Sequence, residues 1–202
     1  MRSIPYPDPS LYQDGDFVYC DGTDAFSAVT RLVTGTGSVF RRLRDHSIPT
    51  HVGIIWTAGG QHFVAEMRPN GLEPNAPKFY RVRWGQRPRH ILAVLRCPDL
   101  TNAQRVRIKK QIAQDIRLGL EYSRRDLLTF VYRQVENEPD RMYCSEYAYR
   151  LFAHPLFTRG RKTVCHEPLD PHLRSQDLDR LVSPLSLYEA QKERYQTVWK
   201  RP

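Results

Sequence analysis

Two β-prone runs joined by a pair of glycines constrain the fold of this chain more than any other feature. The first run is residues 50–56, THVGIIW, and the second is residues 61–67, QHFVAEM. Gly59 and Gly60 lie between them. Runs of this kind on either side of a Gly-Gly turn are typical of an antiparallel hairpin. The sequence therefore predicts an antiparallel sheet.

The register of this hairpin decides which side chains meet. With a two-residue turn, Ala58 pairs with Gln61 and Gly53 pairs with Glu66. Alternation then places His51 and Glu66 on the same face, diagonally across the two strands and within reach of each other. Gly53 has no side chain to fill the space between them. A three-residue turn would send Glu66 to the opposite face, where it would be a surface carboxylate beside an arginine.

The other segments place the hairpin in an α+β chain, in which an antiparallel sheet packs against helices. The length of 202 residues indicates a single domain, 1–202, with a core at about 15–152 and a C-terminal extension, 153–202. The pattern predicts strands at 15–20 and 91–96, a basic exposed segment at 41–49, and helices at 24–33, 101–119, 122–135 and within 185–199. Thr101 and Gln104 form a predicted capping box, and Gly119 a predicted stop.

Cys144 lies where a polar segment ends and a helix is predicted to begin. Tyr147, Ala148, Leu151 and Phe152 follow at helical spacing, so Cys144 shares their inward face. A thiol in the first turn of a helix lies at the positive end of the helix dipole, which favours the thiolate and suits a nucleophile. The alternative is a small buried core residue, because free cysteine is among the most buried residue types.

A cysteine nucleophile needs an imidazole to take its proton and a third group to hold that imidazole. The chain has seven histidines. His51 with Glu66 is the first candidate pair, and His62, nearer the turn, is the second candidate base. His51 could instead be a strand histidine that is satisfied by a backbone carbonyl.

Charge and cysteine content limit the partners and cofactors. Lysine and arginine outnumber acidic residues by 31 to 22, so the surface favours polyanionic partners such as nucleic acid, anionic lipid or cell-wall polymer. None of the four cysteines forms a C-x-x-C pair, and the adjacent Cys165 and His166 read as a loop. No metal site and no cofactor are predicted. Without an apolar signal sequence or a membrane span, we expect a cytoplasmic protein or one released by a non-classical route.

Four sequence blocks in a fixed order resemble one known family. They are residues 15–19 (GDFVY), 50–55 (THVGII), 64–66 (VAE) and 142–146 (MYCSE). Together they resemble the permuted NlpC-type branch of the papain-like cysteine peptidases, the YiiX-like group. Most papain-like enzymes place cysteine before histidine, whereas here the order is histidine, acid, cysteine, as a circular permutation requires. The resemblance covers residues 15–152.

The resemblance implies a circularly permuted papain-like fold with the nucleophile at a helix N-terminus. In that family, the residue matching Cys144 is the nucleophile, the one matching His51 the general base and the one matching Glu66 the group that orients it. Tyr19 is expected to line the substrate site. The implied activity is a cysteine hydrolase of the peptidase or amidase type, acting on a cell-wall peptide or a related amide.

Other functions remain open at this point. The lecithin:retinol acyltransferase-like group also places histidine before cysteine, but its cysteine typically stands in an Asn-Cys-Glu context and its third polar residue is typically a histidine. An acyltransferase or thioesterase acting on lipid acyl groups is therefore one alternative. A basic nucleic-acid-binding protein is another, based on arginines at 41–44 and 81–89. A structural protein without catalytic activity is the third.

Overall fold

A computed structural model describes residues 8–22, 25–34, 37–68, 71–75, 91–122, 141–153 and 183–201. A 3-10 turn, Pro9–Leu11, precedes the first strand. The described strands are β1 (Phe17–Cys20), β2 (His51–Ala58), β3 (Gln61–Arg68), β4 (Gly71–Asn75), β5 (Ile91–Arg96), β6 (Glu121–Tyr122), β7 (Arg141–Met142) and β8 (Gln196–Lys200). The described helices are α1 (Ala25–Thr34), α2 (Val39–Arg44), α3 (Asn102–Leu118), α4 (Cys144–Ala153) and α5 (Pro184–Gln191).

Six of the strands form one sheet in the order β4-β3-β2-β1-β5-β8. Every neighbouring pair in this sheet is antiparallel. The short strands β6 and β7 form a separate parallel pair. The predicted α+β class with an antiparallel sheet is confirmed.

The hairpin of β2 and β3 has the two-residue turn that the sequence predicts. Pairing runs from Ala58 opposite Gln61 to Ile54 opposite Ala65. Gly59 and Gly60 have φ angles of 56° and 73°. Positive φ at both central residues is characteristic of the turn whose twist matches that of the strands, and glycine adopts it without steric cost.

Hydrophobic side chains are buried on both faces of the sheet, as expected from the period-two alternation of strands. One face packs against α3 and α4, with a core that includes Phe17, Tyr19, Val52, Ile54, Ile108, Ile112, Tyr147 and Phe152. The other face carries a smaller cluster of Tyr12, Val18, Ile55, Val64, Ile91 and Val94. The cysteine helix α4 therefore lies against the larger core.

Helix α3 forms with the caps that the sequence predicts. The Thr101 hydroxyl accepts the Gln104 N–H at 3.3 Å, and the Gln104 side chain accepts the Thr101 N–H at 2.8 Å. Gly119 ends the helix in a left-handed conformation. Ile108 and Ile112 are buried on its inner face. The capping box and the apolar stripe thus fix both the ends and the orientation of this helix.

Several segments differ from the sequence prediction or fall outside the described residues. Residues 39–44 form helix α2, which overlaps the segment 41–49 that was predicted only as basic and exposed. The short helix predicted within 185–199 is α5, which ends at Gln191. The residues that follow form β8, which the sequence did not predict and which pairs with the edge of β5. Tyr122 lies in β6 rather than in a helix, and the rest of the helix predicted at 122–135 lies outside the described residues, as does Cys165.

Candidate active site

Cys144 is the first residue of α4, as the sequence predicts. The side chains that follow it at helical spacing, Tyr147, Ala148 and Phe152, are buried in the core beside α3. Cys144 itself is buried, with 6% of its surface exposed. Packing of the inward face of α4 therefore holds the thiol at a fixed position in the first turn.

His51 and Glu66 are joined by a short hydrogen bond. The distance from His51 Nε2 to Glu66 Oε2 is 2.6 Å. Because an ionised carboxylate can only accept, Nε2 carries the proton and Nδ1 is left for another partner. The Glu66 side chain is fully buried, whereas a quarter of the His51 side chain is exposed. The carboxylate thus fixes the orientation of an imidazole that remains partly open to solvent.

The thiol of Cys144 is hydrogen-bonded to His51. Since Nε2 is bonded to Glu66, Nδ1 is the nitrogen available to the sulfur. The backbone N–H groups of Val52 and Ser145 also donate to the sulfur. Val52 lies beyond the last pair between β2 and β3. The beginning of β2 and the start of α4 therefore meet at the thiol, and the three residues Cys144, His51 and Glu66 form one hydrogen-bonded chain.

The electrostatics of this chain favour a charged pair. Burial raises the pKa of the Cys144 thiol, but the His51 charge and the hydrogen bonds to the sulfur outweigh burial and lower the pKa below its ordinary value. Burial lowers the pKa of His51, but Cys144 and Glu66 outweigh it and raise that pKa to about 10. Shifts in these opposite directions stabilise a thiolate beside an imidazolium.

Gly53 provides the space in which Glu66 reaches His51. A Cβ atom at Gly53 would lie 2.4 Å from Val64 Cγ1 and 3.3 Å from Glu66 Cβ. The first of these distances is far inside van der Waals contact, so no side chain fits there without displacing its neighbours. The close approach of the two strands at this point thus depends on glycine.

Tyr19 forms a buried hydrogen bond with Gln191 and interacts electrostatically with Cys144. Tyr19 is fully buried, and its hydroxyl donates to Gln191 Oε1 at 2.5 Å. Burial raises the pKa of Tyr19 well above its ordinary value, with Tyr188 and Cys144 adding to the shift. Tyr19 is therefore close enough to the thiol to be coupled to it electrostatically. Its predicted contact with substrate stays a prediction.

Asp115 on α3 is hydrogen-bonded to Tyr147 of the cysteine helix α4. Its carboxylate accepts from Tyr147 Oη at 3.2 Å and from Gln111 Nε2 at 2.7 Å. Asp115 is fully buried. Burial raises the pKa of Asp115 to about 6, although both hydrogen bonds oppose that shift. Its spacing from Ile108 and Ile112 on the inner face of α3 is the one sequence signal that could have identified it.

His62, the second candidate base, lies at the turn end of β3. Its Nδ1 is 3.0 Å from Thr57 Oγ1, and its ring meets Tyr12 edge-on with centroids 6.0 Å apart. The hydrogen-bonded chain at Cys144 contains His51 rather than His62.

The described residues define a class of protein: an α+β fold whose six-stranded antiparallel sheet and cysteine helix bring together a thiol, an imidazole and a carboxylate. The crystal structure of metalloprotein YiiX from Escherichia coli O157:H7, DUF1105, has a similar fold, with a TM-score of 0.59. The two chains are 18% identical, and the match covers 95% of this chain and 98% of that one. This likeness supports the YiiX-like fold that the motifs predict.

No protein-family model matches the sequence, and a search of the curated proteins finds no match.

The term metalloprotein belongs to the description of YiiX and is said of that protein alone. Among the residues described here, His, Cys, Asp and Glu form no group of three or more that could hold a metal ion. Within the same residues, every helix is too short or too polar to cross a membrane.

Proposed function

We propose that this protein is a cysteine hydrolase that cleaves an amide bond through a thioester intermediate. The observation that carries the proposal is the hydrogen-bonded chain from Glu66 through His51 to the Cys144 thiol. A nucleophile, a base within hydrogen-bond reach and a third group that orients the base are the features of activated thiol catalysis.

The first half of the reaction forms the thioester. The Cys144 thiolate attacks the carbonyl carbon of the amide, and the backbone N–H at the start of α4 is a suitable donor to the developing oxyanion. The His51 imidazolium then gives its proton to the amide nitrogen, and the C–N bond breaks. The amine leaves, and the acyl group remains on the sulfur.

The second half returns the enzyme to its starting state. The neutral His51 takes a proton from water, and the resulting hydroxide attacks the thioester carbonyl. The C–S bond breaks, a carboxylic acid leaves, and the thiolate and imidazolium are restored. Glu66 holds the Nε2 proton throughout, so the same His51 nitrogen serves as acid and then as base.

The order of these residues in the chain supports a circularly permuted papain-like arrangement. His51 begins β2, Glu66 lies in β3, and Cys144 begins the later helix α4. By resemblance, the substrate class is a cell-wall peptide or a related amide. The excess of basic residues is compatible with an anionic wall polymer.

The proposal is tested by incubating the protein with purified peptidoglycan stem peptides and analysing the products by mass spectrometry. We expect a new free amine and a new carboxylate with the wild type and with Cys20→Ala, and neither product with Cys144→Ala. Cys20 is a suitable control because it is another cysteine that forms no disulfide, at the end of β1. Cleavage that persists in Cys144→Ala refutes the nucleophile. Turnover of acyl esters or thioesters without any amide cleavage refutes the amide substrate.

A further inference from the structure

Helix α2 exposes apolar side chains instead of burying them. Phe40 is 76% exposed and Val39 53%, and none of the residues in α2 is buried. Val29 of the neighbouring helix α1 is 40% exposed. A short helix that leaves its one aromatic side chain in water gains little from the core. Clustered exposure of this kind marks an interaction surface more often than single exposed side chains do.

The same surface is basic. Residues 25–50 contain four arginines, of which Arg31 is buried and Arg42 turns inward, and a single carboxylate, Asp45. Arg41 and Arg44 are exposed, and Arg44 follows Phe40 by one helical turn, so the two side chains share one side of α2. Asp45 accepts the backbone N–H of Ser47 at 3.0 Å and also bonds its hydroxyl. We call the set of Val39, Phe40, Arg41 and Arg44, on the helix that follows α1, the α1–α2 corner.

Hydrogen bonds from Arg42 join α2 to the end of α1. Arg42 turns inward, and its guanidinium donates to Gly37 O at 2.7 Å and to Leu32 O at 2.6 Å. This arginine ties α2 to the end of α1. Its charge is used within the fold, whereas Arg41 and Arg44 point their charges outward.

A second set of bonds ties the corner to the end of the sheet where His51 lies. The buried Asp21 carboxylate accepts from Arg31 of α1 and from His46 Nδ1, the latter at 2.7 Å. Asp21 directly follows Cys20, which is paired with His51 across β1 and β2. A surface that binds the corner would therefore be held next to the candidate active site.

We propose that the α1–α2 corner docks on an anionic lipid bilayer. Phe40 and Val39 enter the boundary between headgroups and acyl chains, and Arg41 and Arg44 bind the headgroup phosphates. Exposed apolar side chains gain nothing from the phosphate backbone of a nucleic acid, so lipid fits this surface better. Docking does not depend on the proposed hydrolase activity and is measured separately from it.

The test is co-sedimentation of the full chain with vesicles. We expect the wild type to bind vesicles of equal parts phosphatidylglycerol and phosphatidylcholine, and not pure phosphatidylcholine. Phe40→Ser should weaken binding roughly tenfold or more, because it removes a whole aromatic side chain from the apolar boundary. Replacing Arg41 and Arg44 with glutamine should weaken binding and reduce its dependence on salt. Melting curves should show every variant folded, since the changed side chains are exposed.

Val106→Ser is the matched control. Val106 is 51% exposed on α3, and Arg107 and Lys110 beside it are also exposed, so this variant removes an apolar side chain from a different basic helix. We expect it to bind as the wild type does. The proposal is overturned if Phe40→Ser binds like the wild type, or if Val106→Ser loses as much affinity. It is also overturned if duplex DNA binds as tightly as the anionic vesicles.

Discussion

Substitution of Gly53 by alanine should disturb the site through the strand beside it. The added Cβ would lie 2.4 Å from Val64 Cγ1 and 3.2 Å from the Ala65 carbonyl oxygen. Carbon atoms in contact normally lie about 3.5–4.0 Å apart, so the Val64 side chain, and with it the strand that carries it, must shift by roughly 1 Å. Overpacking of this kind costs about 1–3 kcal/mol. For a chain of this length, that lowers the melting temperature by about 2–12 °C.

The same displacement moves Glu66, since its Cβ would lie 3.3 Å from the new methyl group. Glu66 then holds His51 less well, and the pKa of Cys144 rises toward its ordinary value. We expect the rate of Cys144 alkylation by iodoacetamide at neutral pH to fall at least about tenfold. Any amide cleavage should fall by roughly a hundredfold, because a 1 Å misplacement in an active site has effects of that size.

Gly59→Ala is the control for this prediction. It adds the same methyl group at the turn of the same hairpin, where φ is +56° and nothing lies within 4 Å. We expect about 1–2 kcal/mol of lost stability from the left-handed backbone, with Cys144 alkylation unchanged. Adding Val64→Ala to Gly53→Ala removes the Cγ1 atom that the new methyl group meets, and should restore part of the lost stability and of the lost Cys144 alkylation rate. If Gly53→Ala has the melting temperature and the Cys144 alkylation rate of the wild type, the prediction for this strand contact is wrong.

Three further predictions concern residues around the thiol. Glu66→Gln keeps the shape of the side chain but removes its charge, so the pKa of His51 should fall in an NMR titration and that of Cys144 should rise. Asp115 has a folded pKa raised to about 6. Between about pH 4 and pH 6 the Asp115 carboxyl therefore keeps its proton in the folded protein but loses it in the unfolded chain. The free energy of unfolding falls as the pH rises through this range, by on the order of 3 kcal/mol. Asp115→Asn should abolish that fall when the free energy of unfolding is measured by urea titration across pH. If the stability of the variant falls over this range as in the wild type, the prediction is wrong. Tyr19→Phe removes the hydrogen-bond donor to the buried Gln191 oxygen and should lower the free energy of unfolding by about 1–3 kcal/mol in denaturant titrations. The rate of Cys144 alkylation should not change. Altered cleavage kinetics would instead support the predicted contact of Tyr19 with substrate.

The features that the sequence predicted well are those set by local signals. Gly59 and Gly60 determine the turn, the turn determines the register, and the register places Glu66 beside His51. Thr101 and Gln104 determine the start of α3 in the same local way. The start of α4 at Cys144 follows from the change from a polar segment to helical spacing.

The features that the sequence missed depend on distant partners. Tyr19 and Gln191 are 172 residues apart in the chain, and no local pattern marks Gln191 as a partner. Strand β8 is five residues long and becomes a strand because the edge of β5 is available to pair with it. Helix α2 is six residues long and buries no side chain, so it lacks the apolar stripe by which a helix is identified in sequence.

The most direct test of the account is the charge state of the Cys144 thiol in the folded protein. The difference in ultraviolet thiolate absorbance between the wild type and Cys144→Ser, followed across pH, reports that charge without requiring access to the buried sulfur. An ion pair between Cys144 and His51 should give one additional thiolate in the wild type at neutral pH, with a midpoint well below about 8.5, the ordinary value for a thiol. An additional thiolate that appears only at or above that value would contradict an ion pair between Cys144 and His51.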